Sequence, residues 1–173
     1  MKIRVATAED EPALRVLDRA TWTSYSSPAP VPPPERSFFG PECAPEDVLV
    51  ALDDDELVGY IRLAPATPLQ SNRHVLEIRG LSVDPNRRQS GVGRALLEAG
   101  ADEAALRGAR RLTLHVLAHN ETARAVYARA GFEVEGVLRE EFEVQGRYVD
   151  DVLMARELAP PLPPRSRRDG SNG

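Results

Sequence analysis

The chain has 173 residues, and its 27 acidic and 22 basic side chains give a formal net charge of −5. An acidic chain lacks the positive charge of duplex-DNA binders, and its apolar runs are far shorter than a membrane-spanning helix needs. Cys43 is the only cysteine, which excludes an internal disulfide and a cysteine-rich zinc site. With no apolar signal segment at the start, we expect a cytoplasmic location.

The first quarter of the chain predicts a strand, a helix and a long loop. Residues 2–5 alternate as a short strand, and Thr7 and Asp10 have capping-box spacing at the front of a helix. The stretch 24–45 contains seven of the 15 prolines, so it cannot continue that helix. We therefore predict a long ordered loop, of the kind that often carries function in compact domains.

The rest of the chain alternates between strand-like and helical segments. Strands are predicted at 48–52, 57–63, 75–83, 111–117, 132–144 and 148–155. Helices are predicted at 91–106 and at 120–130, where an asparagine caps the front and a glycine follows the end. The order predicts one α/β domain over residues 1–158. The Pro-, Arg- and Gly-rich residues 159–173 are predicted to form a disordered tail.

The segment after strand 75–83 carries the strongest chemical signature. It reads Val-Asp-Pro-Asn-Arg-Arg-Gln-Ser-Gly-Val-Gly-Arg over residues 83–94: a strand ends, a turn follows, and a glycine-spaced loop opens a helix. A helix N-terminus presents unpaired N–H groups and a partial positive charge, and therefore favours a pyrophosphate. The loop lacks the Gly-Lys-Ser/Thr of a Walker loop and the third glycine of a dinucleotide fingerprint. A plain glycine-rich turn remains the alternative.

This loop and a second motif resemble those of the GNAT superfamily of N-acetyltransferases. The matching residues are Arg88, Gly91 and Gly93 of a Q/R-x-x-G-x-G/A motif, then Asn120, Ala123, Tyr127, Gly131 and Phe132 of an N-x-x-A…Y…G-F pattern. The resemblance covers about residues 2–157. The closing segment from Gly131 is similar to the branch that holds polyamine and ribosomal-protein N-terminal acetyltransferases.

The resemblance implies a GNAT fold, with a mixed central sheet of about seven strands and helices on both faces. It also implies acetyl-CoA as co-substrate, with no metal. The pyrophosphate would bind the loop amides, and the pantetheine would lie where the fourth strand bulges and splays from the fifth. The cofactor-binding residues it implies are Leu81, Ser82, Val83, Arg88, Gln89, Ser90, Gly91, Val92, Gly93, Arg94, Asn120 and Tyr127. Gln89 stands where the family often has glycine.

Two residues are expected to act on protons. In the resemblance, Tyr127 is the general acid that protonates the departing thiolate; a core aromatic is the alternative. A lysine- or polyamine-type acceptor is mostly ammonium at neutral pH and must lose a proton before it attacks. Glu77 lies eleven residues before Arg88, the offset of the catalytic glutamate in histone-acetylating members, and is our candidate base; pairing with Arg79 is the alternative. His115 is a weaker candidate, expected to be a core or sheet-face histidine.

The implied function is transfer of an acetyl group to a primary amine by direct attack in a ternary complex. The acceptor would be a small-molecule or peptide amine. Loop 22–42 and hairpin 138–151 hold aromatic and acidic residues that would favour a cationic amine, unless those carboxylates are simply solvated. An acyl-CoA-binding regulatory module without catalysis and a phosphate-loop nucleotide protein stay open as alternatives. No nucleic-acid or membrane partner is expected, and homodimerisation, common in the family, is left open.

Overall fold

Seven strands and three α-helices are present in the computed structural model, which describes residues 1–159. The strands are β1 (Lys2–Val5), β2 (Val48–Asp53), β3 (Glu56–Pro65), β4 (Val75–Val83), β5 (Arg111–Leu117), β6 (Glu133–Val144) and β7 (Arg147–Glu157). The helices are α1 (Glu11–Thr21), α2 (Val92–Leu106) and α3 (Glu121–Arg129). Every predicted strand and helix is therefore present. The predicted tail lies outside the described residues from Pro160 onward.

The strands form one sheet in the order β1-β2-β3-β4-β5-β7-β6. Only β4 and β5 run parallel; the other neighbouring pairs are antiparallel. A parallel pair needs a crossover, and α2 supplies it between β4 and β5. The mixed α/β sheet of seven strands implied by the resemblance is confirmed.

The two faces of the sheet are covered by different helices because strand residues alternate between faces. On one face Leu14 and Leu17 of α1 pack against Val48, Val50 and Tyr60. On the other face, α2 and α3 pack over the larger cluster, whose largest fully buried side chains are Val58, Ile61, Leu63, Leu96, Leu97, Leu112, Leu114 and Val152. No α-helix within residues 1–159 is long and apolar enough to cross a membrane.

Glycines set how closely α2 approaches the sheet. A Cβ on Gly100 of α2 would lie 2.8 Å from the Ile61 Cδ1 atom, and one on Gly59 of β3 would lie 2.9 Å from the Leu96 Cδ1 atom. Any larger residue at either position would push helix and sheet apart. These contacts fix the start of α2 beside the end of β4.

Strands β4 and β5 separate halfway along their length. They pair only from Val75 to Ile78 on β4, opposite Arg111 to Leu114 on β5. The register between β3 and β4 then shifts, so that Arg79 forms a bulge. Beyond it, residues 80–83 pair with β3 alone. The bulge and splay implied by the resemblance are confirmed, and they open a gap in the sheet.

The proline-rich stretch after α1 is an ordered loop packed on the α1 face. The Glu11 carboxylate accepts hydrogen bonds from the amides of Phe38 and Phe39, at 2.7 and 2.9 Å. The Phe38 ring packs edge-on against Tyr60, with 5.0 Å between ring centroids. The indole of Trp22 donates to the Ala29 carbonyl at 3.1 Å. These contacts hold the loop over the open half of the sheet.

Candidate active site

The loop between β4 and α2 presents a row of free backbone donors. The first hydrogen bond of α2 runs from the Ala95 amide to the Gly91 carbonyl, at 3.0 Å. Within residues 1–159, the amides of residues 89–94 donate no hydrogen bond. Six consecutive N–H groups at the N-terminus of a 15-residue helix form a strong anion site.

The conformation of this loop explains its sequence. Gly91 caps α2 with φ +88°, a left-handed conformation that glycine adopts without cost. Gln89 also has a positive φ, of +63°, which explains why glycine is frequent there in the family that the sequence resembles. Ser90 donates to the Arg87 carbonyl at 2.5 Å. The side chains of Arg88 and Arg94 are exposed and add positive charge beside the free amides.

The gap between β4 and β5 lies beside the last residues of β4, directly before this loop. Leu81 and Val83 direct their side chains into the core under α2, while Ser82 faces α1 and accepts a hydrogen bond from Thr21 at 3.1 Å. The main chain of residues 81–83 has β3 on one side and no strand on the other within the described chain. Its free edge can pair with an extended ligand as a strand would.

Asn120 caps α3, the helix that follows β5, and Tyr127 lies within that helix. The buried Asn120 side chain accepts the Ala123 amide hydrogen bond at 3.1 Å, so the predicted cap is present. Its side-chain NH₂ group has no acceptor among residues 1–159. The Tyr127 ring packs edge-on against Phe132, with 6.0 Å between centroids, and burial raises the pKa of its phenol to about 12. The phenol therefore stays protonated at neutral pH.

Glu77 lies in the part of β4 that pairs with β5, one residue before the last pair. Its carboxylate is 3.4 Å from the Arg79 guanidinium, and its side chain is 19% exposed. It lines a cavity of about 260 Å³, which we call the acidic cavity. Its other titratable lining residues are His115, Glu141 and Asp151. Glu77 thus lines the acidic cavity and also contacts Arg79, the alternative to a role as base.

The contact between His115 and Asp151 was not predicted from the sequence. His115 Nδ1 lies 2.5 Å from an oxygen of Asp151, and Asp151 is 4% exposed whereas the His115 ring opens into the acidic cavity. A buried carboxylate on one imidazole nitrogen orients the ring and leaves the other nitrogen free for proton transfer. The pair arises because β7 places Asp151 beside β5, 36 positions away in the chain. Asp151 in an acidic hairpin gave no signal of this contact.

Cys43 lies within the proline-rich loop and is buried at 5% exposure. Burial raises the pKa of its thiol, which opposes formation of the nucleophilic thiolate. Residues 1–159 contain no group of three metal-ligating side chains. Glu77 and His115 both line the acidic cavity, and their side chains are the candidates there for accepting a proton.

Comparison with known proteins matches these features to one family. The family model described as "Acetyltransferase (GNAT) family" matches residues 14–132. The uncharacterized N-acetyltransferase YhfO of Bacillus subtilis is 35% identical over 86 residues, which cover 50% of this chain and 58% of that protein. The [ribosomal protein bS18]-alanine N-acetyltransferase of Escherichia coli K12 is 37% identical over 79 residues, which cover 46% of this chain and 53% of that protein. The chain thus spans little more than half the length of these relatives.

A solved structure shares the fold over almost the whole chain. A putative acetyltransferase from Salmonella typhimurium, crystallised with its cofactor acetyl-CoA, superposes with a TM-score of 0.77 at 19% identity. The superposition covers 96% of this chain and 98% of that one. The family model, the split sheet and the free amides before α2 agree, and the chain belongs to the acetyltransferase (GNAT) family.

Proposed function

We propose that this chain is an N-acetyltransferase that moves an acetyl group from acetyl-CoA to a primary amine. The observation that carries the proposal is the row of six free amides at the start of α2, directly beside the gap between β4 and β5. A pyrophosphate on those amides would leave an extended pantetheine arm pointing along the gap. When bound, acetyl-CoA supplies the thioester whose acetyl group is transferred.

The residues of the gap fit this co-substrate. The amides of residues 89–94, with Arg88 and Arg94, would hold the pyrophosphate. The free main chain of residues 81–83 would pair with the pantetheine, and the Asn120 NH₂ group would donate to it. An amide of β4 at the bulge is suited to polarise the thioester carbonyl, and such a donor typically contributes roughly 3–4 kcal/mol to transition-state stabilisation.

The acceptor amine attacks directly in this proposal. Glu77 accepts the first proton of the ammonium group, either itself or through water, and passes it to solvent. The new N–C bond then forms as the C–S bond breaks, and the second proton of the nitrogen leaves to Glu77 by the same route. Tyr127 donates its proton to the departing sulfur, and both side chains regain their starting state by exchange with solvent. The raised thiol pKa of Cys43 and its place outside the acidic cavity support a route without an acyl-enzyme.

An amine panel tests the proposal. Release of CoA is followed with a thiol reagent, using polyamines, amino acids, aminoglycosides and peptides with free N-termini or lysines. A control reaction without acetyl-CoA corrects for the signal that the thiol reagent gives with the Cys43 thiol. Turnover on any amine supports the proposal. Acetyl-CoA binding without turnover would instead favour a regulatory module, and ATP binding tighter than CoA binding would favour a nucleotide protein. A cytoplasmic location and homodimerisation remain predictions.

A further inference from the structure

A second cavity, of about 250 Å³, lies beneath the proline-rich loop. It is bounded by α1, the loop, β3 and the bulge of β4. Its charged lining consists of the arginines Arg15, Arg19, Arg36, Arg62 and Arg79 and of the single acid Asp18. We call it the arginine cavity.

The positive charge of this cavity is largely uncompensated. Asp18 accepts a hydrogen bond from the buried Tyr60 hydroxyl, and Arg79 pairs with Glu77. The other four arginines have no carboxylate partner within residues 1–159. Three of them donate to backbone carbonyls of the loop, which satisfies donors but leaves the charge in place. Arg15, Arg19 and Arg36 are exposed at its rim, and Arg62 is half-buried. Such a concentration of arginine around one cavity favours an anionic ligand.

Arg62 gives an independent sign of a missing acceptor. One of its terminal nitrogens donates to the Glu42 carbonyl, but its Nε–H is buried and has no acceptor among residues 1–159. A buried donor without a partner costs free energy, and a ligand oxygen would remove that cost. The planar guanidinium presents paired N–H groups that match the two oxygens of a carboxylate.

The arginine cavity adjoins the proposed reaction centre. Arg79 and Gly80, at the bulge of β4, line it. The two cavities lie on either side of one segment of the loop. Ser26 and Pro28 line the acidic cavity, whereas Ser27 between them lines the arginine cavity. One small molecule can therefore place an anionic group among the arginines and another group at the bulge.

We infer that the acyl acceptor is an amine that carries a carboxylate, with the carboxylate in the arginine cavity and the amine at the β4 bulge near Glu77. The inference rests on the proposed acetyl transfer and names its substrate class. It reverses the expectation of a cationic amine, because four unpaired arginines would repel a polyamine. A free amino acid and the acidic side chain of a peptide both present this chemistry.

The test compares amines with their own carboxamides. The pairs are glycine and glycinamide, aspartate and its diamide, and the C-amidated peptides Ala-Glu and Ala-Gln, with each rate expressed per neutral amine. We expect the carboxylate member of at least one pair to have a kcat/KM about tenfold higher or more, as for a hydrogen bond to a charged group. The first two pairs report on a free amino acid, and the third reports on a peptide side chain.

Two variants connect that preference to the cavity. Arg36→Gln and Arg62→Met should each raise KM for the carboxylate member about tenfold or more and leave the carboxamide unchanged. Arg110→Gln removes a positive charge before β5, at the far end of the sheet, and is the matched control. Unfolding temperatures identify any variant that is misfolded. If Arg62→Met is misfolded, Arg62→Lys replaces it as a variant that keeps the charge but not the planar guanidinium. Preference for carboxamides or polyamines would overturn the inference.

A binding measurement separates this inference from the acetyl-transfer proposal. Glutarate, a dicarboxylate without an amine, is titrated calorimetrically into the wild-type chain and the Arg36→Gln variant. We expect wild-type binding that weakens about tenfold in the variant. Glutarate binding in a chain that acetylates no amine would refute the acetyl-transfer proposal alone. Amine turnover with no glutarate binding and no carboxylate preference would refute the carboxylate inference alone.

Discussion

Glu77 and His115 project into one cavity from neighbouring strands, so two side chains there can accept a proton from an amine. Glu77 lies on β4 next to the bulge, where the acetyl group is proposed to lie. His115 lies on β5 beyond the last β4–β5 pair and is oriented by Asp151. Their positions favour Glu77 as the base and leave His115 to complete a proton route across the cavity.

Replacing the carboxylate tests this assignment. Glu77→Gln should lower kcat by about 10²–10⁴-fold, the usual contribution of a positioned base, with the acetyl-CoA Kd unchanged. Glu141→Gln, which alters an exposed carboxylate of the same cavity, is the control and should change kcat little. Steady-state rates across pH measure both. If Glu77→Gln keeps the wild-type pH–rate profile while His115→Asn loses the activity, the base is His115.

Tyr127, the general acid of the proposal, should make stability fall in alkali. Its pKa is raised to about 12 by burial, whereas an unfolded tyrosine ionises near 10. The stability that this burial confers is therefore fully present below pH 10 and is lost as the pH rises towards 12. In Tyr127→Phe the fall in unfolding free energy over this interval should be shallower by up to about 1.4 kcal/mol per pH unit. Urea unfolding at pH 9, 10 and 11 measures the slope; identical slopes would contradict the burial of the phenol.

The N-terminal ends of α2 and α1 are each held by specific local contacts. In the first, a left-handed glycine caps the helix, and the six amides of residues 89–94 have no acceptor within residues 1–159. In the second, Asp10 precedes α1 and accepts two hydrogen bonds from Arg4 of β1, at 2.7 and 2.8 Å. It also accepts the Thr7 amide at 2.8 Å. These links tie α1, one wall of the arginine cavity, to the edge of the sheet.

The two glycines of the α2 loop should respond differently to alanine. Gly91 has φ +88° with open space around its Cβ position, so Gly91→Ala should lower the unfolding free energy by about 1 kcal/mol through backbone strain alone. Gly93 has no positive φ, and a Cβ there would make an ordinary 3.6 Å contact with Val83. Gly93→Ala should therefore not destabilise the chain. Equal losses in chemical denaturation would refute the left-handed cap.

The Asp10–Arg4 pair should make stability fall in acid. Arg4, mainly through its hydrogen bonds, holds the pKa of Asp10 below its usual value, so the stability from this pair is present above about pH 4 and is lost as the pH falls. Asp10→Asn should cost about 1 kcal/mol at pH 7, a value reduced by solvent screening, and progressively less below pH 4. Thermal unfolding of both chains between pH 3 and 7 measures this difference. A cost that does not change with pH would contradict the ion pair.

Over the whole molecule, the secondary structure was predictable from local sequence patterns, whereas the long-range contacts were not. Alternation, caps and glycines predicted every strand and α-helix within residues 1–159, and the family resemblance added the split sheet. The His115–Asp151 contact was not predictable because it depends on the pairing of β5 with β7. The arginine cavity was missed for the same reason: its charges come from α1, the proline-rich loop, β3 and β4, and no short stretch of sequence holds them together.

Calorimetric titration of acetyl-CoA into the chain tests the central claim most directly. The split sheet and the free amides at α2 predict one bound acetyl-CoA per chain, with at least tenfold weaker binding in Gly91→Val, where a branched residue disfavours the left-handed cap. Arg110→Gln, outside the site, should bind like the wild type. Saturable binding that is lost in the loop variant is the result we expect. An absence of acetyl-CoA binding in the folded wild-type chain would contradict the account.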